Sequence, residues 1–290
     1  MTVASHPNAL RIHRRWLWRA TAALCLVGTT VPFDRATAAD WLGDPPLRGS
    51  FAPPTYALWE GWQFGVQAGL ANMNSEFGNS TSSLVAFILR NTTIENEFAP
   101  STWATLPADT TNGQVFGAFL AYNMQWDQLV AGFDLAYKYA SSLEAAASDS
   151  IARQFQTSDG FDNQVSIDAH ATTRLVDYAT LRARAGYAFG NFLPYAVIGA
   201  AVGRFNYATT VTVHTVGTPT GPGVPFDITT TSTSGKNNAF AAGLAAGLGV
   251  DWAVTPNLFL RAEWEYIAFA PINGARPNIN TGQVGVGVRF

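Results

Sequence analysis

Charged side chains stand at every second position in several otherwise apolar segments of the chain. Arg182 and Arg184 flank Ala183, and Glu263 and Glu265 flank Trp264. Successive side chains of a β-strand point to opposite faces, so this spacing places the charges of one segment on a single face. Acids and bases on such faces can pair with each other, or they can line a path for ions. The residues concerned are Asp134, Lys138, Arg182, Arg184, Asp251, Arg261, Glu263, Glu265 and Arg289.

A second kind of chemistry could involve His170 and His214, which lie in long polar segments. Ser166 and Asp168 are close to His170, and a serine paired with a histidine could serve a lipid-modifying hydrolase. No nucleophile motif surrounds these residues, so we predict that the chain has no catalytic site. Cys25 is the single cysteine, and we predict neither a cofactor nor a metal site.

The elements that would position these groups are segments of alternating apolar residues, each about ten residues long. Such segments are typical of strands that are apolar on one face and polar on the other. Eight can be distinguished: Trp62–Ala71, Gln114–Trp126, Leu129–Tyr139, Tyr178–Phe189, Leu193–Phe205, Ala239–Val254, Leu258–Ala268 and Gly282–Phe290.

The connections between these segments alternate between short and long. Short turns at one rim and long polar loops at the other are typical of an outer-membrane barrel. The alternation Thr210-Val211-Thr212-Val213 allows strands to extend into one of the long connections. The short turns contain Asp127-Gln128, Gly190-Asn191 and Thr255-Pro256-Asn257, and the expected loops are residues 72–113, 140–177, 206–238 and 269–281.

These patterns predict an all-β fold, namely an eight-stranded antiparallel transmembrane up-and-down β-barrel with long extracellular loops. In the closing segment Gln283–Phe290, the valines would face lipid, while Gln283 and Arg289 would face inward. The interior of an eight-stranded barrel is just wide enough for side chains to fill, so the inward charges should pair. Asp134 could face Arg261, with Arg182 and Arg184 reaching Glu263 or Glu265. A narrow charge-lined pore is the alternative.

Two other architectures compete with this one. The GxxxG patterns Gly199–Gly203 and Gly243–Gly247 could be packing faces of membrane helices. However, the apolar stretches end at Arg204 and Asp251, well short of the ~20 residues that a spanning helix needs. A soluble binding barrel of the lipocalin type would turn its apolar face inward instead. The aromatic C-terminus and the nearly uncharged apolar face favour the membrane barrel.

The N-terminal part has the organisation of an exported protein. Arginines precede the apolar run Ala20 to Val31, and Ala36 to Ala39 offer a small-residue cleavage site, as in a secretory signal peptide. We therefore predict a signal peptide at residues 1–39, a Pro-rich periplasmic lead-in at residues 40–58 and the barrel at residues 59–290.

The overall composition argues against two common classes of protein. Hydrophobic residues make up 48% and charged residues 13% of the chain, and the mean hydropathy is +0.07. A helical membrane protein should be more hydrophobic, and a soluble protein should carry about twice as much charge. The formal net charge of −3 gives no indication of nucleic-acid binding.

Several motifs, in order, resemble one known family. Thr180 to Phe189, followed by Leu193-Pro194-Tyr195, is similar to the central signature of the small porin-family, OmpA-like barrels that include alphaproteobacterial surface antigens. Departures from the family pattern are Ala121 and Asp251, where Gly and Glu are expected, together with unusually long loops. The resemblance extends over about residues 45–290 apart from the long loops, and its other motifs are Leu47–Ser50, Ala121–Gln125, Gly249–Trp252 and Arg261–Trp264.

This resemblance implies a surface protein of the Gram-negative outer membrane with a structural role and weak porin-like activity. The alternatives are a genuine small-solute porin and an outer-membrane lipid-modifying hydrolase. The expected partners are outer-membrane lipid, lipopolysaccharide and the assembly machinery, which would read Phe290, Val288 and Val286 as a C-terminal signal. Both termini of the exported chain would be periplasmic.

Overall fold

The computed structural model describes residues 58–78 and 80–290. The predicted signal peptide lies outside the described residues, as does the predicted lead-in apart from Leu58. Two short helices, α1 (Ser82–Ile88) and α2 (Thr93–Phe98), and a 3-10 turn (Pro100–Thr102) lie between the first two strands. The strands are β1 (Gly61–Glu76), β2 (Asp109–Trp126), β3 (Leu129–Ser141), β4 (Glu144–Gln156), β5 (Phe161–Tyr187), β6 (Phe192–Pro219), β7 (Phe226–Ala253), β8 (Leu258–Phe269) and β9 (Arg276–Arg289).

Eight of the strands close into a ring. β1 pairs with β2, β2 with β3, β3 with β5, and each strand from β5 to β9 pairs with the next, all antiparallel. The ring closes where β9 pairs with β1, for example at Phe64 opposite Val288. β4 pairs with β5 outside this ring. The predicted eight-stranded antiparallel barrel is therefore confirmed, and the ninth strand is an addition to it.

The two rims of the barrel differ, as the alternating connections indicated. β2 and β3, β5 and β6, and β7 and β8 are joined by short turns at one end, which we call the turn rim. Gly61 at the start of β1 and Arg289 at the end of β9 lie at this same rim, because the ring contains an even number of strands. The opposite end, the loop rim, carries the helices and β4.

Two of the four connections expected to be long loops are largely strand. Most of residues 140–177 forms β4 and the first half of β5, and most of residues 206–238 continues β6 and β7. In residues 206–238 this is the strand extension that the alternation Thr210 to Val213 allowed. In residues 140–177 the expectation of a loop was wrong, because alternating polar and apolar residues there also pair as strands beyond the barrel wall. We call this four-stranded part the sheet extension. It consists of β4 and of residues 161–175, 207–219 and 226–236 of the next three strands.

The two remaining connections are shorter than expected. β1 continues to Glu76 and β2 begins at Asp109, so the helices occupy only the middle of residues 72–113. Residues 269–281 reduce to a tight turn closed by the pairing of Ile272 with Ala275.

The strands turn their apolar side chains outward and their charged side chains inward, as predicted. Leu181 and Ile198 point outward with 61% and 70% of their surface exposed, whereas Arg182 points inward and is 1% exposed. Outward side chains of β6 stay apolar from Phe192 to Val202, before Arg204. That stretch of about eleven residues, at ~3.3 Å per residue and a tilt of ~45°, forms a band ~25 Å tall, as a bilayer core requires.

Helices α1 and α2 cover the inner face of the sheet extension. Val85 of α1, Leu89 directly after α1 and Ile94 of α2 are buried and belong to one apolar cluster with Val211 and Val213 of β6. Thr92 starts α2 by accepting a hydrogen bond from the backbone of Glu95 at 3.2 Å. The loop rim is thus covered by a folded segment, residues 80–106, which we call the roof.

The reading of the GxxxG patterns as membrane helices is wrong, because Gly199–Gly203 lies in β6 and Gly243–Gly247 in β7. Within residues 58–78 and 80–290, no helix has the length and apolar character needed to cross a membrane.

Candidate functional site

The inward charges of the barrel meet in one layer, and Arg182 lies near its centre. This arginine donates to Oδ1 of Asp134 at 2.5 Å, to Oε1 of Glu263 at 2.6 Å and to Oε1 of Glu265 at 2.7 Å. Asp134 is its direct neighbour across the β3–β5 pairing, whereas the two glutamates reach it from β8 on the far wall. Arg182 therefore ties opposite sides of the barrel together.

Arg261 forms the second centre of the layer. Its Nη1 donates to Asp134 at 2.9 Å, and its Nε and Nη2 donate to the two oxygens of Asp251 at 2.9 and 3.1 Å. Such a two-point contact fixes the orientation of both groups. Arg184 donates to the same Asp251. Asp134 and Asp251 are thus each shared by two arginines, which links the centres into one network.

Lys138 completes the layer through its ion pair with Glu265. The layer therefore contains as many bases as acids, so its formal charges cancel. Its side chains are at most 1% exposed. We call it the ion-pair layer, and its members are Asp134, Lys138, Arg182, Arg184, Asp251, Arg261, Glu263 and Glu265.

The observed pairs agree only partly with those suggested from the sequence. Asp134 does meet Arg261, and Arg182 does reach Glu263 and Glu265. Arg184, however, bonds Asp251 instead of either glutamate. Arg184 lies two residues nearer the turn rim than Arg182, and this places it level with Asp251 instead of with the glutamates.

Arg289 is inward, as expected, but it does not join the ion-pair layer. Its Nε donates to the carbonyl oxygen of Pro256 at 2.5 Å, and its guanidinium lies 4.7 Å from the centre of the Trp59 ring. Arg289 is at the end of the last strand, so its side chain belongs to the turn rim. There it caps a turn rather than neutralising an acid.

Tyr195 is part of the layer, although its sequence context did not identify it. Its hydroxyl donates to Oε2 of Glu263 at 2.8 Å, and the Arg184 guanidinium lies 3.6 Å from its ring centre. The ring lies against Gly249 on the neighbouring strand, where any Cβ would be 2.4 Å from it. An inward aromatic paired with a glycine is the sequence signal that could have revealed it.

Apolar side chains close the barrel below and above the ion-pair layer. On the turn-rim side, Trp59 is fully buried and packs edge-on against Phe259 with ring centres 6.0 Å apart. On the loop-rim side, Phe205 and Phe269 meet with ring centres 5.1 Å apart and lie in the same cluster as Leu143. The charges are therefore enclosed between two apolar layers.

The histidines do not form a nucleophile–base pair with Ser166. Ser166 and His170 are four residues apart on one strand face, which separates them by ~13 Å. His214 does lie opposite Ser166, but its Nε2 is 2.8 Å from Asp227, and within the described residues no hydrogen bond joins it to Ser166. In the same part of the chain, no group of His, Cys, Asp and Glu side chains could hold a metal ion.

An antiparallel ring with an apolar outer band and an enclosed ion-pair layer is a membrane β-barrel with a filled interior. The chain belongs to the outer membrane protein β-barrel domain family, whose sequence profile matches residues 49–290. This membership supports a location in the outer membrane. A comparison with curated proteins gave no match.

Solved structures of similar proteins were also found. Ail, the attachment invasion locus protein of Yersinia pestis, is 14% identical over 80% of this chain and 99% of its own, with a TM-score of 0.32. Neisserial surface protein A is 17% identical over 78% and 97%, with a TM-score of 0.30. OprG from Pseudomonas aeruginosa is 12% identical over 80% and 96%, with a TM-score of 0.34. At these values none of them is a basis for assigning an activity.

We predict that Arg182→Met destabilises the barrel by about 3–5 kcal/mol, because it leaves buried carboxylates without their shared partner. Unfolding by urea in lipid vesicles, followed by tryptophan fluorescence, measures the change. Arg174→Met is the matched control, since Arg174 is an exposed arginine of the same strand and forms no ion pair within the described residues, so its loss should have little effect. Equal stability of the two variants would contradict the structural importance of the ion-pair layer.

Proposed function

We propose that this protein is a structural, surface-exposed barrel of the outer membrane that passes little or no solute and catalyses no reaction. The observation that carries the proposal is the ion-pair layer, enclosed between the apolar residues around Trp59 and those around Phe205. A porin must keep a water-filled lumen, whereas these side chains occupy the cross-section of a barrel of this strand number. Its outward band contacts lipid and lipopolysaccharide.

The purified full-length protein should show no conductance steps in planar bilayers. A variant in which residues 80–106 are replaced by a Gly-Ser linker should be equally silent, because the ion-pair layer lies below that roof and remains in place. Heat-modifiable gel migration verifies that both proteins are folded, and an open porin serves as the positive control. Conductance by the wild type would refute the filled barrel. Conductance by the shortened variant alone would show that the roof closes a pore.

We further propose that residues 1–39 are removed on export, that the turn rim and both termini of the exported chain are periplasmic, and that the sheet extension lies outside the cell. Two observations support this orientation. Gly61 and Arg289 share the turn rim. The longer and more polar elements stand at the opposite rim, which is the usual arrangement of barrels in this membrane.

Cysteine labelling of whole cells tests the orientation. Val224→Cys, at the tip of the sheet extension, should react with a membrane-impermeant maleimide, and Asn191→Cys, in a turn-rim connection, should react only after lysis. The background is low because Cys25 is the only native cysteine and lies in the proposed signal peptide. Labelling of Asn191→Cys on intact cells, with Val224→Cys protected, would reverse the orientation.

We also propose that the outer-membrane assembly machinery recognises the end of β9 through Phe290, Val288 and Val286. Phe290 is 80% exposed at the turn rim, and Val286 on the same outward face is 39% exposed. The residues are therefore accessible to a partner that binds the last strand before the ring closes.

Deletion of Phe290 should lower the amount of folded protein in the outer membrane while leaving spontaneous folding into detergent unchanged. Heat-modifiable migration measures both quantities. Phe189→Ala provides the control, because Phe189 is an equally exposed aromatic residue, at 72%, outside the last strand. Equal losses for the two variants in cells would mean that general lipid anchoring, and not an assembly signal, explains the effect.

A further inference from the structure

A cavity of about 380 Å³ lies between the helical roof and the tip of the sheet extension. Its floor is the inner face of β6 and β7, including Val213 and Ile228, and its opposite wall is the end of α1 and the start of α2, including Leu89 and Ile94. Phe226 forms one side, with its ring lying so close over Gly217 that a Cβ there would be 2.2 Å from it. The volume is within the range of small-molecule sites.

Asn163 lines this cavity, and the oxygen of its side-chain amide lacks a hydrogen-bond partner. Asn163 is 1% exposed, and its Nδ2 donates to Oγ1 of Thr157 at 2.8 Å and to the carbonyl oxygen of Phe161 at 3.2 Å. These two acceptors fix the orientation of the amide. Its Oδ1 then has no protein hydrogen-bond donor among the described residues. A buried acceptor of this kind favours a ligand that brings a donor.

The charge around the cavity is negative. Asp159 is the ionisable residue among those lining the cavity, and it lies exposed at the turn between β4 and β5. The hydrogen bond from Thr157 lowers the pKa of Asp159 below its ordinary value, so this carboxylate is ionised at neutral pH. Arg90, next in sequence to the α1 wall, is instead placed over the Phe87 ring at 4.2 Å. An anionic ligand would therefore meet repulsion without a compensating base.

We propose that this cavity binds a small, mostly apolar molecule that carries one hydroxyl or amino donor and no negative charge. The apolar part lies between Ile94, Val213 and Ile228, and the donor hydrogen-bonds to Oδ1 of Asn163. The site is outside the apolar outer band and separate from the ion-pair layer. Binding in this cavity therefore does not depend on whether the barrel interior is filled, as proposed above.

Fluorine NMR with three probes of matched shape tests this inference: 4-(trifluoromethyl)phenol, its methyl ether and 4-(trifluoromethyl)benzoate. The protein is the full chain in lipid nanodiscs, at a pH where the phenol is neutral, and empty nanodiscs correct for partitioning into lipid. The phenol should bind at least about tenfold more tightly than its methyl ether, which lacks the donor, and the benzoate should bind least.

Three variants locate the binding. Ile228→Trp fills the cavity and should abolish phenol binding, whereas Thr229→Trp places the same side chain on the outward face of the same strand and should leave it unchanged. Asn163→Leu should remove the preference for the phenol over its methyl ether. Since that variant also loses the bonds to Thr157, Ile228→Trp keeps the test decisive if Asn163→Leu does not fold. Equal affinity of the wild type for phenol and ether, or equal behaviour of the two tryptophan variants, would overturn the proposal.

Discussion

A buried charge needs a partner, and in this barrel the partners lie on different strands. Asp134 on β3 is shared by Arg182 on β5 and Arg261 on β8, so three separate parts of the wall must reach the same height for all three charges to be satisfied. A shift of one residue in any of these pairings would turn a charge toward lipid and an apolar residue inward. The ion-pair layer therefore selects one register among the many that alternating strands could adopt.

The rest of the interior is consistent with this constraint. Apolar layers around Trp59 and Phe205 exclude water from the charges, which strengthens their mutual attraction and raises the cost of leaving one unpaired. Tyr195 and Gln283 donate hydrogen bonds to the oxygens of Glu263 beside those from Arg182, with Gln283 at 2.6 Å. Glycine at position 249 admits the tyrosine ring. The small and polar residues of the lumen thus help to keep the buried charges hydrogen-bonded and closely packed.

Sequence alternation was sufficient to predict the ring, its strand number and the face on which each charge lies, because these depend on a period of two residues. It was not sufficient for distances along the barrel axis, and this is why Arg184 was matched with the wrong acids. Strand length was also underestimated: Thr210 to Val213 indicated that strands could continue beyond lipid, but residues 140–177 were predicted to be a loop, because their polar residues are typical of loops as well as of strands outside the membrane. The cavity beneath α2 could not be predicted, because it brings residues near 90 together with residues near 160 and 228, and nothing in their local patterns specifies that contact.

The pairing of β5 with β6 skips one residue between Leu175 and Asp177, and the pairing of β6 with β7 skips one residue of β6 between Phe205 and Tyr207 and two of β7, residues 237–238. These irregularities lie side by side where the sheet extension leaves the ring. At such a bulge the inside–outside alternation restarts, so an insertion or deletion farther out need not be transmitted to the residues within the membrane. The exposed sheet could then change in length and composition during evolution, while the lipid-facing and lumen-facing sets below it stay in phase.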